Sequence, residues 1–199
     1  MTLLEPTPPG IFREASIPVL ETERLILRAP CLEDAKAIAL LANDRRIAEN
    51  TAHIPHPYRI ADAEAFIARA NSDTRTNFLI ALADGTPVGA CGFGTGEAGV
   101  PEIGCWLGVS FWGAGLATEA VRAMIDHAFS DAGHQVLQAG ARVTNPASRR
   151  VLEKCGFQWT GVGLYRIRAL SSSAPIDRFR LERGIWLSLK SWGAVRRVA

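Results

Sequence analysis

The chain has 199 residues, 48% of them hydrophobic and 21% charged, with a formal net charge of +2. That length suits one domain with a sizeable core and is short for two. Arg and Lys are dispersed among acidic residues and no run approaches the ~20 apolar residues that span a bilayer, so neither a nucleic-acid binder nor a membrane protein is expected.

Residues 1–20 contain Pro6, Pro8, Pro9 and Pro18 and no basic start followed by an apolar run. They read as an extended, flexible arm rather than a secretory signal. Residues 21–190 form the expected domain and residues 191–199 a tail, whose Arg196-Arg197 pair is too short to make a basic patch. Cys31, Cys91, Cys105 and Cys155 show no CxxC spacing. Buried thiols in a reducing, cytoplasmic setting are expected, with no metal site and no disulfide.

The first strand is predicted at Glu23 to Arg28 (ERLILR), with Leu25 and Leu27 on one face. Cys31 to Asn50 reads as a helical region and Ala61 to Ala70 as a second helix. Between them the Pro/His-rich connector His53 to Tyr58 resists regular structure, because its prolines remove donors and bias their predecessors to extended backbone. Three strands follow at Asn77 to Ala83, Val88 to Gly94 and Glu102 to Val109, the first two joined by an Asp84-Gly85 turn. Gly113-Ala114-Gly115 then leads into an amphipathic helix closed by Gly133. Gln135 to Val143 is a strand, and Asn145-Pro146 opens a short helix with Asn as N-cap and Gly156 past its end. The last strands are expected at Phe157 to Leu164 and Arg178 to Leu187, joined by a loop that includes the Ser-rich stretch Ser171 to Pro175. This order predicts an α/β (α+β) fold: a mostly antiparallel, mixed sheet of about seven strands with helices on both faces.

The segment with most chemical content is Glu102 to Glu119, EIGCWLGVSFWGAGLATE. A strand runs into a glycine turn and then a helix N-terminus, where unpaired N–H groups and the helix dipole make an anion site. By itself this is also compatible with a plain strand-to-helix turn. The third glycine of a dinucleotide fingerprint is missing, and the absent Gly-Lys-Ser/Thr excludes a P-loop.

One helix and one strand downstream lies Asn145 to Phe157, NPASRRVLEKCGF. The pair WGAGLATEAV and NPASRRVLEKCGF resembles the RimJ/RimL branch of the GNAT acetyltransferase superfamily. A looser likeness runs from ETERLILR through PYRIADAEAFI to the final strand, over roughly residues 21–190. Three departures stand out: Ser110 stands where the superfamily usually has Gln or Arg, Ala114 where a basic or amide residue is common, and Leu152 where many members carry a tyrosine.

The resemblance implies an enzyme that binds acetyl-CoA as co-substrate, without a metal, and passes its acetyl group to a primary amine by direct attack. Trp112, Gly113, Ala114, Gly115, Leu116, Ala117 and Thr118 would receive the diphosphate. Leu107 and Val109 would lie on a strand that splays from Gln135 to Val143 and pairs with pantetheine, and Asn145 would contact the same arm while also capping its helix. Ser148 would face the thiol and Glu102 would act as base, each with an ordinary structural alternative as helix-start serine or strand-end carboxylate. His56 and Tyr58, with His53, fall in the loop that would cover the acceptor, and Arg166, Arg168 and Arg178 are candidates for the acceptor pocket or for a solvated face. His127 and His134 are expected near the surface. A protein N-terminus is the expected acceptor, a small amine the alternative, and a CoA-binding sensor without catalysis the reading from another class. The likeness is compatible with a homodimer.

Overall fold

The computed structural model describes residues 17–72 and 75–195. Most of the expected arm (1–16) and the end of the tail (196–199, with Arg196-Arg197) lie outside the described residues. The elements run β1 (Leu20–Glu21), β2 (Leu25–Arg28), α1 (Ala35–Ala42), α2 (Arg45–Ala48), α3 (Ile60–Arg69), β3 (Asn71–Ser72), β4 (Arg75–Leu82), β5 (Pro87–Thr95) and β6 (Pro101–Leu107). Then come α4 (Leu116–Ser130), β7 (Val136–Arg142), α5 (Pro146–Lys154), β8 (Gln158–Ile167), β9 (Ser172–Glu182) and α6 (Arg183–Val195). The sheet order is β1-β2-β4-β5-β6-β7-β9-β8, with β3 paired to β4. Two of these nine strands have only two residues each, which is why about seven were legible in advance. Among the described residues no helix is long and apolar enough to cross a membrane.

β4 shows why helices cover both faces. Phe78, Leu79 and Ile80 are all buried, but they split between two cores. Phe78 and Ile80 pack with Ala120, Met124 and Phe129 of α4, while Leu79 packs with Ile38 of α1 and Ala63 of α3. A strand covered on both sides reads as a continuous apolar run, and each fully buried large side chain contributes about 1.5–3 kcal/mol. The Asp84-Gly85 turn is present, with Gly85 at φ +88° and its N–H donating to the Leu82 carbonyl at 2.9 Å.

The predicted helical region Cys31 to Asn50 is broken into a 3-10 turn (Leu32–Asp34), α1 and α2. Asp44 breaks it, since its side chain accepts from the Arg46 amide and caps a new helix. Cys31 is exposed, against the expectation of a buried thiol, whereas Cys91 and Cys155 are buried and Cys105 is half-buried. Val109 is not on the strand as expected: β6 ends at Leu107 and Val109 opens a 3-10 turn to Phe111.

The C-terminal prediction needs the largest correction. The strand placed at Arg178 to Leu187 is β9, Ser172–Glu182, and the Ser-rich stretch lies almost wholly within it. The chain reverses instead at Arg168–Leu170, with Ser171 left-handed at φ +51°. Arg183 onward is helix, because Ile185, Trp186 and Leu189 follow a helical rather than an alternating period. Trp186 is buried beside Phe129 with ring centroids 5.3 Å apart, and its indole N–H donates to Asp126 at 2.7 Å.

Candidate active site

β6 and β7 are parallel neighbours, but their register holds for only two residue pairs, Glu102 with Gln138 and Ile103 with Ala139. Beyond these, residues 104–107 and 140–142 diverge into a V, leaving backbone groups on the facing edges without a strand partner. A cleft of about 1080 Å³ occupies the V, lined by Gly104 to Leu107 on one side and by Gly140 and Arg142 on the other. The splay implied by the family resemblance is therefore present, with Glu102 where the two strands part.

At one end the cleft is built largely from backbone. Gly113 and Gly115 both sit at φ +80°, a left-handed conformation that L side chains rarely adopt, and a Cβ on Gly113 would meet nothing within 4 Å. The first intrahelical bond of α4 runs from the Glu119 amide to the Gly115 carbonyl, so the amides of Leu116, Ala117 and Thr118 precede the ladder. Trp112, Gly113, Gly115, Leu116, Ala117 and Thr118 all line the cleft; Val109 and Ala114 do not. The Trp112 indole donates to the Leu107 carbonyl at 2.8 Å and ties the loop to the strand end, while the Arg46 guanidinium lies 5.9 Å from the ring centroid. Open space before left-handed glycines and a helix N-terminus suits a diphosphate.

Across the V, Asn145 caps α5 as expected: its side-chain oxygen accepts from the Ser148 amide at 3.1 Å, with Pro146 at the first helical position. Both Asn145 and Ser148 line the cleft, so the capping bond leaves them on its wall. Leu152, one turn further, is buried in the core at the cleft floor.

At the centre, Glu102 is joined by a residue that sequence reasoning missed. The Tyr165 hydroxyl donates to Glu102 Oε2 at 2.8 Å, and both side chains line the cleft. Burial, helped by the Glu102 charge, pushes the Tyr165 phenol up to about 12, so it remains a donor at neutral pH. Glu102 Oε1 lies 3.5 Å from where a Cβ of Gly140 would stand. The available signal was composition, since the chain has only two tyrosines. It was lost because β8 was expected to stop at Leu164, one residue short.

The far end is assembled from distant segments. His53, Ile54, Pro55 and Tyr58 of the connector line it, together with Ile167 and Arg168. Tyr58 is buried against α1 and α3, its amide donates to Asn43 at 2.9 Å, and burial raises its phenol to about 12. His56 is exposed and outside the lining. The Arg168 amide donates to the Ala52 carbonyl at 3.1 Å, and its guanidinium lies 3.9 Å from Asp62. Arg166 is exposed, and Arg178 is drawn away across Gly163 to Glu97, so neither reaches the cleft. A Cβ at position 163 would meet the Arg178 guanidinium, so the glycine leaves room for this course of the side chain. His127 is more enclosed than expected, with its side chain 15% exposed, Nδ1 2.9 Å from Asp131 and its ring edge-on to Phe78.

Comparison with known proteins agrees with this architecture. Residues 24–158 match the family model described as acetyltransferase (GNAT) domain. An uncharacterized N-acetyltransferase p20 of Bacillus licheniformis is 30% identical over 151 residues, covering 72% of this chain and 84% of that protein. Among solved structures, RimL, a ribosomal L7/L12 α-N-protein acetyltransferase in complex with coenzyme A, superposes with a TM-score of 0.72 at 17% identity. The match covers 83% of this chain and 98% of that one. Spermidine N-acetyltransferase from Vibrio cholerae, in complex with CoA and spermine, has a TM-score of 0.70 at 19% identity over 83% of this chain and 99% of that one. The chain belongs to the GNAT acetyltransferase family and is an N-acetyltransferase.

Proposed function

We propose that this protein acetylates the N-terminal α-amine of a protein or peptide, using acetyl-CoA, in the manner of the RimJ/RimL branch. The observation that carries the choice of acceptor is the charge of the cleft. Its described lining holds two carboxylates, Glu102 and Asp62, against Arg46, Arg69, Arg142, Arg150, Arg168 and Lys154. Asp62 already faces Arg168. Such a wall favours phosphates at the coenzyme end and opposes a polycation such as spermidine, which would need several carboxylates to replace its hydration. A single amine on an otherwise neutral or acidic peptide meets no such barrier.

Acetyl-CoA, when bound, supplies the acetyl thioester. The amides of Gly113 to Thr118 hold its diphosphate, the free edge of β6 up to Leu107 pairs with the pantetheine, and Asn145 adds a polar contact. Ser148 offers a hydroxyl to the sulfur. Glu102 accepts the proton of the incoming amine, directly or through one water, while the Tyr165 hydroxyl holds Oε2 and fixes the carboxylate. An α-amine has a pKa near 7.7–8.0 and is about a tenth neutral at pH 7, so one weak base suffices. His53, Ile54, Pro55 and Tyr58 of the connector form the acceptor wall.

Thiol release from acetyl-CoA tests the proposal against three sets of acceptors: peptides with free N-termini, the same peptides N-blocked but carrying lysines, and small amines including spermidine. Turnover confined to free N-termini is expected. Turnover confined to small amines would move the acceptor to that class, and none with confirmed CoA binding would leave a sensor.

A further inference from the structure

The ETERLILR segment lies far from the cleft in sequence, and the assignment above gives it no task. In the structure it reaches the back of the glycine loop. Arg24 Nη1 donates to the Ala114 carbonyl at 2.9 Å. The same guanidinium grips Glu119 of α4, with Nε 2.7 Å and Nη2 2.6 Å from Oε2. The Arg24 amide donates to Glu119 Oε1 at 2.9 Å, and the Thr22 hydroxyl donates to that oxygen at 2.7 Å. Gly113 and Gly115 to Thr118 line the cleft, whereas Ala114, Glu119 and Arg24 do not.

Two features of this arrangement bear on an anion. Arg24, outside the cleft, donates to the Ala114 carbonyl and so holds it on the side away from the lining residues of the loop. Glu119 also places a negative charge in the first turn of α4, close to where the helix dipole would attract phosphate. Burial works against that charge, but the Thr22 hydroxyl and the Arg24 amide and guanidinium outweigh it and keep the carboxyl ionised below its usual range. Unneutralised, it would repel a diphosphate.

We infer that Arg24 is a positioning residue for the coenzyme: from behind the loop it holds the Ala114 carbonyl away from the cleft and cancels the charge of Glu119. The loop amides and the α4 N-terminus then meet the diphosphate without a competing negative group. The inference rests on the coenzyme reading above and is independent of the acceptor.

The test is calorimetric titration of wild type and variants with CoA and with S-acetylpantetheine, which lacks the diphosphate. Arg24→Ala is expected to weaken CoA binding by about ten- to thirty-fold, the scale of one charge-assisted hydrogen bond, and to change S-acetylpantetheine binding less than two-fold. Arg24→Ala/Glu119→Gln recovers part of the loss, because the uncompensated charge is gone. Arg24→Lys, which keeps the charge but lacks the fork that spans both partners, recovers part of it by a separate route and guards against an alanine variant that fails to fold. Unchanged CoA affinity in Arg24→Ala, equal losses for both ligands, or a double variant no better than the single one would each overturn the inference. A wild type that binds no CoA would instead overturn the coenzyme reading beneath it.

Discussion

The two ends of the cleft are built in different ways. The glycine-loop end is contiguous in sequence and made mostly of backbone: left-handed Gly113 and Gly115, the first amides of α4, and the capped start of α5. The far end is made of side chains from His53, Ile54, Pro55 and Tyr58 of the connector, from β8 and from Arg168 in the turn after it, segments distant in sequence. A backbone site tolerates changes of side chain so long as its conformation is kept, which is how Ser110 and Ala114 can stand where amide or basic residues are usual. A side-chain site depends on each residue reaching its place, so it is where specificity varies.

Substitutions at each end sharpen this contrast. The largest effect is expected at the junction: Glu102→Gln should lower kcat/KM about a hundred-fold at pH 7, a general-base contribution, with CoA affinity unchanged. With an α-amine acceptor the defect should narrow between pH 7 and 9, as the amine loses its proton without help. A defect constant over that range would remove Glu102 as base.

Next is Tyr165→Phe. Losing a donor to a charged carboxylate should reduce kcat about ten-fold, with little change in the KM for acetyl-CoA. A rise in that KM with kcat intact would place Tyr165 at the coenzyme end instead. Gly115→Ala probes the backbone end: forcing a Cβ into φ +80° costs roughly 1–2 kcal/mol, to be read as weaker CoA binding, a lower melting temperature, or both. Unchanged CoA affinity and melting temperature together would count against a conformation-dependent anion loop.

The smallest effect concerns the framework and should leave both ends alone. The Arg28 guanidinium makes two 2.8 Å bonds to Asp34, which also accepts from the Cys31 amide. Burial disfavours the Asp34 carboxylate, but these partners outweigh it and lower its pKa. A lowered pKa in the folded state means stability that is full above the unfolded value near 3.9 and lost as pH falls through the folded one. Because Arg28 is about a third exposed, Asp34→Asn should cost only about 1 kcal/mol, or 2–4 °C in Tm at pH 7. As pH falls below about 3.9 the difference should shrink, and thermal melts across pH 2–7 would show it.

How far each element could be read in advance follows its range of interaction. The glycine loop, the α4 amphipathic pattern and the Asn145-Pro146 helix start were legible because each signal lies within a few consecutive residues. The register of β8 against β9 was not, and with it went Tyr165, whose place beside Glu102 depends on pairing with Ala174 across a turn of four residues. α6 hides in the sequence for a related reason: β9 ends in alternating Phe179 and Leu181, and that pattern masks the start of residues that pack as helix against Phe129 and Asp126. The ERLILR strand was legible over Leu25–Arg28, but Glu23 and Arg24 form a bend before it, and the contact of Arg24 with the Ala114 carbonyl spans about ninety residues of chain.

The sequence by itself therefore determined the family, the fold class and the backbone features of the glycine-loop end, because capping, left-handed glycines and helical periodicity are local consequences of covalent geometry. Only the tertiary structure decided where β6 leaves β7, which groups hold Glu102 and the loop, and how charge is distributed around the cleft. Those depend on strand register and on side chains meeting across long stretches of chain, and no local rule specifies either.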